Sequence, residues 1–338
     1  MSPRSLSSAC GVCNKKENLQ PCDACRVMMY CSEDHQADHR PLHESACNEI
    51  ERRRNVLERK AHKLSDHPGE FVLASADPSE HGPWSLAVTR NYMRACLGLI
   101  QAMTQVVTLE SVQEQLENLL DMLRMCRSDN LGVRILVPSL MLRLDQDQEC
   151  YDFLKWWAVA TEDFTYEWEI TDSLYLNIRN ANIFESVDVF NKKFRAFTHL
   201  VCLVLLKIKL LFDLMRLQQT EVSLRPRVPR EIIDMILPLV PQSPIAKAQC
   251  IRMDGHTRAV KITTLQVQVD ILFKYVSIAN KYFWTALSDH SGRWIPMPEF
   301  FAEGSVEESQ VALKATYDAW IETPGAIEFV KAKLEGKD

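Results

Sequence analysis

The sequence predicts a small N-terminal α+β module followed by a mostly α-helical domain. Three observations lead to this fold class. Six of the eleven cysteines fall between Cys10 and Cys47, in a stretch that is poor in aliphatic residues. From residue 86 onward, apolar residues recur at helical spacing over most of the chain. The length of 338 residues also suits two units, because domains usually contain about 100–200 residues.

Composition and charge exclude several classes of protein. A hydrophobic fraction of 46% and a charged fraction of 25% are typical of a globular chain. The net charge of −6 provides no positive field for nucleic acid or an anionic membrane. The ten glycines are too widely spaced for the glycine-rich dinucleotide or phosphate loops, or for the nucleophile elbow of hydrolases, since even Gly325 and Gly336, the closest two, lie eleven residues apart.

The ends of the chain and its most apolar stretch predict no membrane or secretory segment. Residues 1–9 are expected to be disordered, and no apolar segment follows them as it would in a secretory signal. We therefore expect a cytoplasmic or nuclear protein, not a secreted one, with reduced thiols. Leu200–Met215 is interrupted by Lys207, Lys209 and Asp213 and is interpreted as a buried helix, since these charges are costly in a bilayer.

The clustered cysteines, together with two histidines, form four pairs at metal-ligand spacing. The pairs are Cys10 and Cys13, Cys22 and Cys25, Cys31 and His35, and His43 and Cys47. Two donors separated by two or three residues can reach one ion, so eight donors suffice for two tetrahedral sites. About forty residues with few aliphatic side chains cannot bury a core of their own, so folding requires the metal.

The short connections favour an interleaved arrangement of these pairs. Only eight, five and seven residues separate successive pairs, which leaves little room for two consecutive sites. The first site is predicted to contain Cys10, Cys13, Cys31 and His35, and the second Cys22, Cys25, His43 and Cys47. Both would be Cys3His sites with no open position, so we predict two structural Zn²⁺ ions per chain in a zinc-stabilised cross-brace finger.

This arrangement resembles the MYND-type zinc finger over residues 10–47. The resemblance is carried by the segments Met29-Tyr30-Cys31-Ser32-x-x-His35-Gln36 and Pro41-Leu42-His43-x3-Cys47. His35 stands where the family usually has cysteine, which is conservative because imidazole binds zinc well. On family spacing, His39 is expected to be a surface residue rather than a ligand.

The resemblance also implies a peptide-binding site at Tyr30, Ser32, Gln36 and Arg40. MYND fingers grip short proline-containing motifs with the equivalent residues, but the family's tryptophan is replaced here by Arg40. A guanidinium group can bind a carboxylate or lie over an aromatic ring. We therefore expect a preference for partners with an acidic or aromatic residue opposite Arg40. The alternative is that this face packs against the helical body, with Arg40 in an intramolecular ion pair.

Residues 48–84 are expected to form a helix and a linker. Asn48–Leu64 contains good helix formers and a basic face, which is typical of a solvated helix; the alternative is a docking patch for localisation or for an anionic partner. Ser65–Pro83 has the proline and glycine content of a linker or irregular loop.

Residues 85–335 are predicted to form an all-α domain. The strongest periodicity, from Ile262 to Phe283, is a heptad seam whose wide apolar flanks favour a helix buried within one chain. Short helices around 116–126, 129–144 and 147–158 resemble helical repeats of the tetratricopeptide type, although no 34-residue period is evident. Pro138 is expected to kink the second of them.

The body also resembles the helical region of fungal MYND-finger proteins that have no SET domain. The best-known enzymes with this finger are SET-domain lysine methyltransferases, but their G-x-G cofactor segment and their asparagine-histidine pocket string are absent from this sequence. We therefore predict a non-enzymatic protein-protein interaction protein that docks a protein or a short peptide motif. The alternatives are an enzyme with an unrecognised site in the body, such as a degenerate methyltransferase relative, and a nucleic-acid-binding transcriptional regulator.

Overall fold

The computed structural model divides into two compact units. It describes residues 6–66, 84, 86–161, 166, 168, 174–191, 196–251, 253–290 and 300–336. The finger unit contains the described residues up to 140, with 166, 168, 174 and 175, and the helical unit contains those from 141 to 161 and from 176 onward. Residues 1–5 and 67–83, which hold much of the predicted disordered N-terminus and linker, lie outside the described residues.

The finger unit begins with a two-stranded hairpin. Strands β1 (Gln20–Pro21) and β2 (Met29–Tyr30) pair antiparallel, with Gln20 opposite Tyr30. On its other side, Met29 forms a parallel bridge with Cys10. Strand β2 is therefore the centre of the finger and carries the chain from the second cysteine pair to the third.

One long helix, α1 (Glu33–Ser65), follows the hairpin. It starts at Ser32, whose extended backbone and hydroxyl group cap the helix by accepting a hydrogen bond from the His35 amide at 3.3 Å. The helix is continuous across the boundary predicted after residue 47. The last ligand pair and the basic segment that follows it thus belong to one rigid element.

Helices α2 (Ala87–Met103) and α3 (Leu109–Met125) complete the packing around α1. Helix α2 lies against both α1 and α3. The core of this unit is formed by apolar side chains from the three helices: Ile50, Met93, Leu99, Met103, Leu119 and Leu123, each 2% exposed or less.

The structure corrects the helix predicted over residues 129–144. It contains instead a 3-10 turn, Val133–Ile135, and a short helix, α4 (Val137–Arg143). The Asp129 carboxylate accepts hydrogen bonds from the Val133 and Arg134 amides at 2.7 and 3.1 Å. The side chain therefore caps the N-terminal end of the 3-10 turn. Pro138 lies in the first turn of α4, where a missing N–H disrupts no helix hydrogen bond, so the predicted kink is wrong.

The helical unit is built around α6 and α8. Its elements are α5 (Asp147–Ala160), a 3-10 turn Val187–Phe190, α6 (Phe197–Leu224), α7 (Arg230–Ile236) with a 3-10 turn Leu237–Leu239, a short π-helix Ala246–Cys250, α8 (Gly255–Ala279), α9 (Phe283–Ser288), α10 (Val306–Glu322) and α11 (Ala326–Leu334). Helix α6 contains the predicted buried stretch and packs along α8. No helix among the described residues is long and apolar enough to cross a membrane.

The heptad seam is buried inside this unit, as predicted. Leu265, Val269, Leu272 and Val276 of α8 are fully buried. The buried stripe on α8 is narrower than expected, because the flanking residues Val267 and Ile278 are 53% and 80% exposed. The seam from Ile262 to Phe283 does not lie on one helix. Helix α8 ends at Ala279, the side-chain amide of the next residue, Asn280, donates to the Ser305 carbonyl at 2.8 Å, and Phe283 starts the separate helix α9.

The charged residues inside α6 tie other segments to it. Lys209 donates to Asp147 at 2.8 Å, and the Asp213 carboxylate accepts hydrogen bonds from the Gln242 and Ser243 amides. Lys207 is 0% exposed and donates to the Ile183 carbonyl and, at 2.8 Å, to Gln268. Each buried charge thus has polar partners, as burial requires. The helical-repeat character of the body stays a prediction.

Candidate metal sites and docking face of the finger

The eight predicted ligands form two separate clusters, in the interleaved arrangement expected from their spacing. One cluster contains Cys10, Cys13, Cys31 and His35, and the other Cys22, Cys25, His43 and Cys47; within each, the ligand atoms lie within 4.8 Å of one another. The donor set, three sulfur atoms and one imidazole nitrogen, is the one that structural zinc prefers.

The distances between donors fit a tetrahedral zinc ion. Bonds of about 2.3 Å to two sulfur atoms separate them by about 3.8 Å in a tetrahedron. Cys13 and Cys31 are 3.5 Å apart between their sulfur atoms, and Cys22 and Cys47 are 3.6 Å apart. The residues present therefore fit two Zn²⁺ ions. The ions would cross-link the two zinc knuckles, the segments Cys10–Cys13 and Cys22–Cys25, to β2 and α1.

The two histidines present different ring nitrogens. His35 in the first turn of α1 faces its cluster with Nδ1, 3.2 Å from Cys31 Sγ. His43, two turns further along, uses Nε2, 3.2 Å from Cys25 Sγ. The helix thus supplies a ligand to one site from its first turn and a ligand to the other site from its third turn.

The knuckles are shaped by tight turns and a glycine. The Gly11 amide donates to the Met29 carbonyl at 2.9 Å. A Cβ atom at Gly11 would lie 2.8 Å from Met28 Sδ and 3.3 Å from His39 Nδ1, so a larger residue would have to displace the Met28 side chain and would crowd His39. Backbone contact between the first knuckle and β2 is what brings Cys10 and Cys31 together.

The thiols of the two clusters have different electrostatic surroundings. Burial, reinforced by the neighbouring Cys22 and Cys25, raises the pKa of Cys47 to about 12. At Cys10 burial also opposes the thiolate, but hydrogen bonds from the backbone amides of Cys13, Val12 and Cys31 outweigh it and lower the pKa to about 6. Several thiolates can coexist at this distance only around a positive ion.

The two sites differ in exposure. All four ligands of the second site are buried, whereas in the first site Cys13 is exposed and Cys31 and His35 are half-buried. Neither has an open coordination position, since protein donors fill all four. The arrangement is that of structural sites, and it offers no position for activating a water molecule.

His39 supports the second site, a role that the sequence analysis missed. It is half-buried, forms a hydrogen bond of 3.0 Å with the Tyr30 hydroxyl and stacks parallel to His43 with ring centroids 5.7 Å apart. His39 belongs to neither ligand cluster, as predicted, but its side chain contacts Tyr30 and His43 in addition to facing solvent. The signal was present in the sequence, because residues four apart on a helix, such as 39 and 43, share a face.

The predicted peptide-binding residues fall into two groups. Tyr30 is 1% exposed, so its side chain lies inside the finger and is not available to a peptide. Ser32, Gln36 and Arg40, with Glu44, follow one another at intervals of four and therefore share one face of α1, which we call the α1 face. Ser32 caps the helix, and Gln36 Nε2 lies 3.8 Å from Cys22 Sγ.

Arg40 is exposed within the described residues of the finger unit. Its side chain is 76% exposed, and its nearest carboxylate is Glu44 of the same helix at 3.8 Å. Arg40 is therefore not buried against α2 or α3, the helices of its own unit, and packing of this face against the helical unit stays a prediction. Leu42, nearby on α1, is 84% exposed.

The finger is docked on the helices of its own unit. Thr108 at the start of α3 donates to the Val27 carbonyl at 2.6 Å. In the predicted basic face, Arg54 is used internally: its side chain is only 12% exposed and pairs with Glu114. Arg52 and Arg53 pair with Glu49 on the surface of α1.

The helical unit contains an open groove of about 550 Å³ beside α8. Its lining consists of Ser186, Val187, Val260, Thr263, Thr264, Val267, Gln268 and Ile271. None of these side chains is ionisable, and the Thr263 and Thr264 hydroxyls donate to carbonyls of their own helix. The groove has the character of a contact surface and not of a polar catalytic pocket.

Comparison with known families identifies the finger. Residues 10–47 match the family model described as MYND finger. Comparison with curated proteins and with solved structures gave no match. The resemblance of the body to fungal MYND-finger proteins therefore stays a prediction. Residues 10–47, in which family pattern and ligand geometry agree, are a MYND finger, a zinc-binding protein-interaction module with two structural zinc sites.

Proposed function

We propose that this protein is a non-catalytic adaptor whose MYND finger docks a short segment of a partner protein along the α1 face. The observation that carries the proposal is the exposure of the α1 face next to the metal ligands. Ser32 directly follows Cys31 in the chain, and Gln36 Nε2 lies 3.8 Å from Cys22 Sγ. Ser32, Arg40 and Glu44 are exposed and Gln36 is half-buried, so polar groups are presented on a scaffold that zinc holds rigid.

Addition of a partner strand beside β2 is blocked at Met29. One side of Met29 is paired with Pro21 on β1, and the other side with Cys10. The outer edge of the hairpin at Pro21 lacks an N–H group for strand pairing. We therefore assign the partner contacts to the α1 face and to the exposed Leu42 rather than to the hairpin edge.

Arg40 sets the partner chemistry. Its guanidinium is held only loosely by Glu44 at 3.8 Å, so an incoming carboxylate or aromatic ring can compete for it. A partner segment with an acidic or aromatic residue fits this position better than the proline that a tryptophan would stack. Nucleic acid is a poorer fit, because the chain carries a net charge of −6.

The proposed location is the cytosol or the nucleus. Six of the eight zinc donors are cysteines, which bind the metal only as reduced thiolates. A reducing compartment keeps them in that form.

The test is a peptide array probed with the full chain, because the finger packs against helices of its own unit. We expect wild type to bind peptides with an acidic or aromatic residue, and Arg40→Trp to shift binding toward proline motifs. Arg52→Trp is the matched control, since Arg52 is also exposed on α1. Equal binding of proline motifs by wild type and Arg40→Trp would contradict the proposal.

A further inference from the structure

Three arginines converge on one buried carboxylate in the helical unit, far along the chain from the finger. Glu221 near the end of α6 is 5% exposed in its side chain. Its Oε1 atom accepts from Arg225 at 2.9 Å and from Arg230 at 2.8 Å, and its Oε2 atom accepts from Arg258 at 2.7 Å.

The carboxylate is saturated by these contacts. Burial would raise the pKa of Glu221, but the three guanidinium hydrogen bonds outweigh it and lower the pKa to about 2. One negative charge therefore faces three positive ones. Asp234 compensates part of the excess through Arg230, at 2.9 Å.

The three arginines differ in how far their N–H donors are exposed to solvent. Arg258 is 1% exposed and belongs to the interior, and its Nε atom has no hydrogen-bond partner among the described residues. Arg225 and Arg230 are 60% and 57% exposed. Because a guanidinium has five N–H groups, both keep donors directed to solvent after binding Glu221.

The turn between α6 and α7 holds these two donors in place. Its sequence is Arg-Pro-Arg-Val-Pro-Arg over residues 225–230, so the φ angles of Pro226 and Pro229 are fixed. The amides of Arg227 and Val228 both donate to the Leu224 carbonyl at 2.9 Å. Arg225 and Arg230 bind the same oxygen atom of Glu221, so their guanidinium groups are held next to each other.

We propose that Arg225 and Arg230 bind the phosphate group of a phosphorylated segment of a partner protein. Two adjacent guanidinium groups match the oxygen geometry of a phosphate, which accepts paired N–H donors. The peptide segment that carries the phosphate can add contacts of its own, because exposed apolar residues lie close by along the chain. Val222, one turn before Arg225, is 59% exposed, and Met235 on α7 is 70% exposed. A free anion would make no use of these residues.

The proposal is tested with the full chain on an array of random peptides with a central phosphoserine, each paired with its serine counterpart. We expect at least tenfold stronger binding to a set of phosphopeptides. This difference should disappear in Arg225→Gln/Arg230→Gln, and mostly disappear in Arg225→Lys/Arg230→Lys, which keeps the charge but not the paired donors. Arg124→Gln is the control, since Arg124 is 66% exposed and pairs with a single carboxylate.

Three results would overturn the assignment. The first is equal binding to the phosphorylated and unphosphorylated peptides. The second is wild-type binding by the double lysine variant, which would reduce the site to unspecific charge. The third is binding only to vesicles with anionic lipids or to RNA. Circular dichroism of each variant verifies folding, and the single variant Arg225→Gln gives the same comparison if the double variant does not fold.

Discussion

Arg54 donates two hydrogen bonds to the backbone carbonyl of Cys25, from Nε at 3.1 Å and from Nη2 at 2.8 Å. Cys25 is a ligand of the buried zinc site, and Arg54 lies two turns beyond Cys47 on the same helix. The same guanidinium pairs with Glu114 on α3, Nη2 to Oε2 at 2.6 Å. One side chain thus links the second metal site to the helices of the finger unit.

We expect Arg54→Met to destabilise the finger unit by about 2–3 kcal/mol. The change leaves the Cys25 carbonyl and the Glu114 carboxylate without their charged donor in a largely buried position. Arg52→Met is the matched control and should cost less than about 0.5 kcal/mol, because Arg52 pairs with Glu49 at the surface. Urea unfolding of the zinc-loaded proteins measures both, and equal stabilities would contradict the structural role of Arg54.

Zinc should leave the two sites at different rates. The first site contains the exposed Cys13, whereas every ligand of the second is buried. A chelator in excess is therefore expected to remove one ion quickly and the other at least tenfold more slowly. Release is followed with a chromogenic zinc indicator.

The variant His35→Ala identifies the fast phase. It removes one donor of the first site, so elemental analysis should give two zinc ions per chain for wild type and one for the variant. Only the slow phase should remain in the variant. Two ions retained by His35→Ala, or a single release phase in wild type, would be incompatible with the two sites as assigned.

His39→Ala is expected to speed zinc release from the second site by about tenfold. Removing the imidazole leaves the buried Tyr30 hydroxyl without its partner and removes the ring stacked on His43. Supporting residues of this kind typically affect metal affinity by about 10–100-fold. His62→Ala is the control, because His62 is exposed on the same helix. If both variants release zinc like wild type, His39 has no supporting role.

Lys207 should make stability depend on pH. Burial lowers the pKa of Lys207 from the ordinary lysine value of 10.5 to about 7, with Glu185 opposing the shift. Between these values the unfolded chain binds more protons than the folded one, so the free energy of unfolding rises with pH, by at most about 1.4 kcal/mol per unit. The contribution is lost as the pH falls toward 7.

The measurement compares wild type with Lys207→Met by chemical denaturation at pH 7, 8 and 9. Both proteins contain the same other titrating groups, so the difference between their stabilities isolates Lys207. We expect wild type to gain on the variant as the pH rises. Lys274→Met, at an exposed position of α8, should run parallel to wild type. Parallel profiles for Lys207→Met as well would show that Lys207 titrates normally.

The sequence by itself determined the metal sites. Four pairs of donors at fixed spacing leave few ways to satisfy two tetrahedral ions, and the short connections favour the interleaved one. Metal coordination acts over short distances and requires particular residue types, so the spacing of those residues in the sequence is enough to predict the ligand sets. The burial of the α8 seam was predictable for a related reason, since a helical apolar period specifies which face must leave water.

Only the tertiary structure decided how the finger is supported. His39 and Tyr30 lie nine residues apart, and Arg54 and Glu114 sixty, and no periodicity in the chain marks either contact. The seam from Ile262 to Phe283 is likewise divided at Asn280, whose side chain binds the carbonyl of Ser305, 25 residues further along the chain. Whether Tyr30 is buried and whether Arg258 joins Arg225 and Arg230 at Glu221 are set by packing between segments that lie apart in the sequence, which local sequence does not encode.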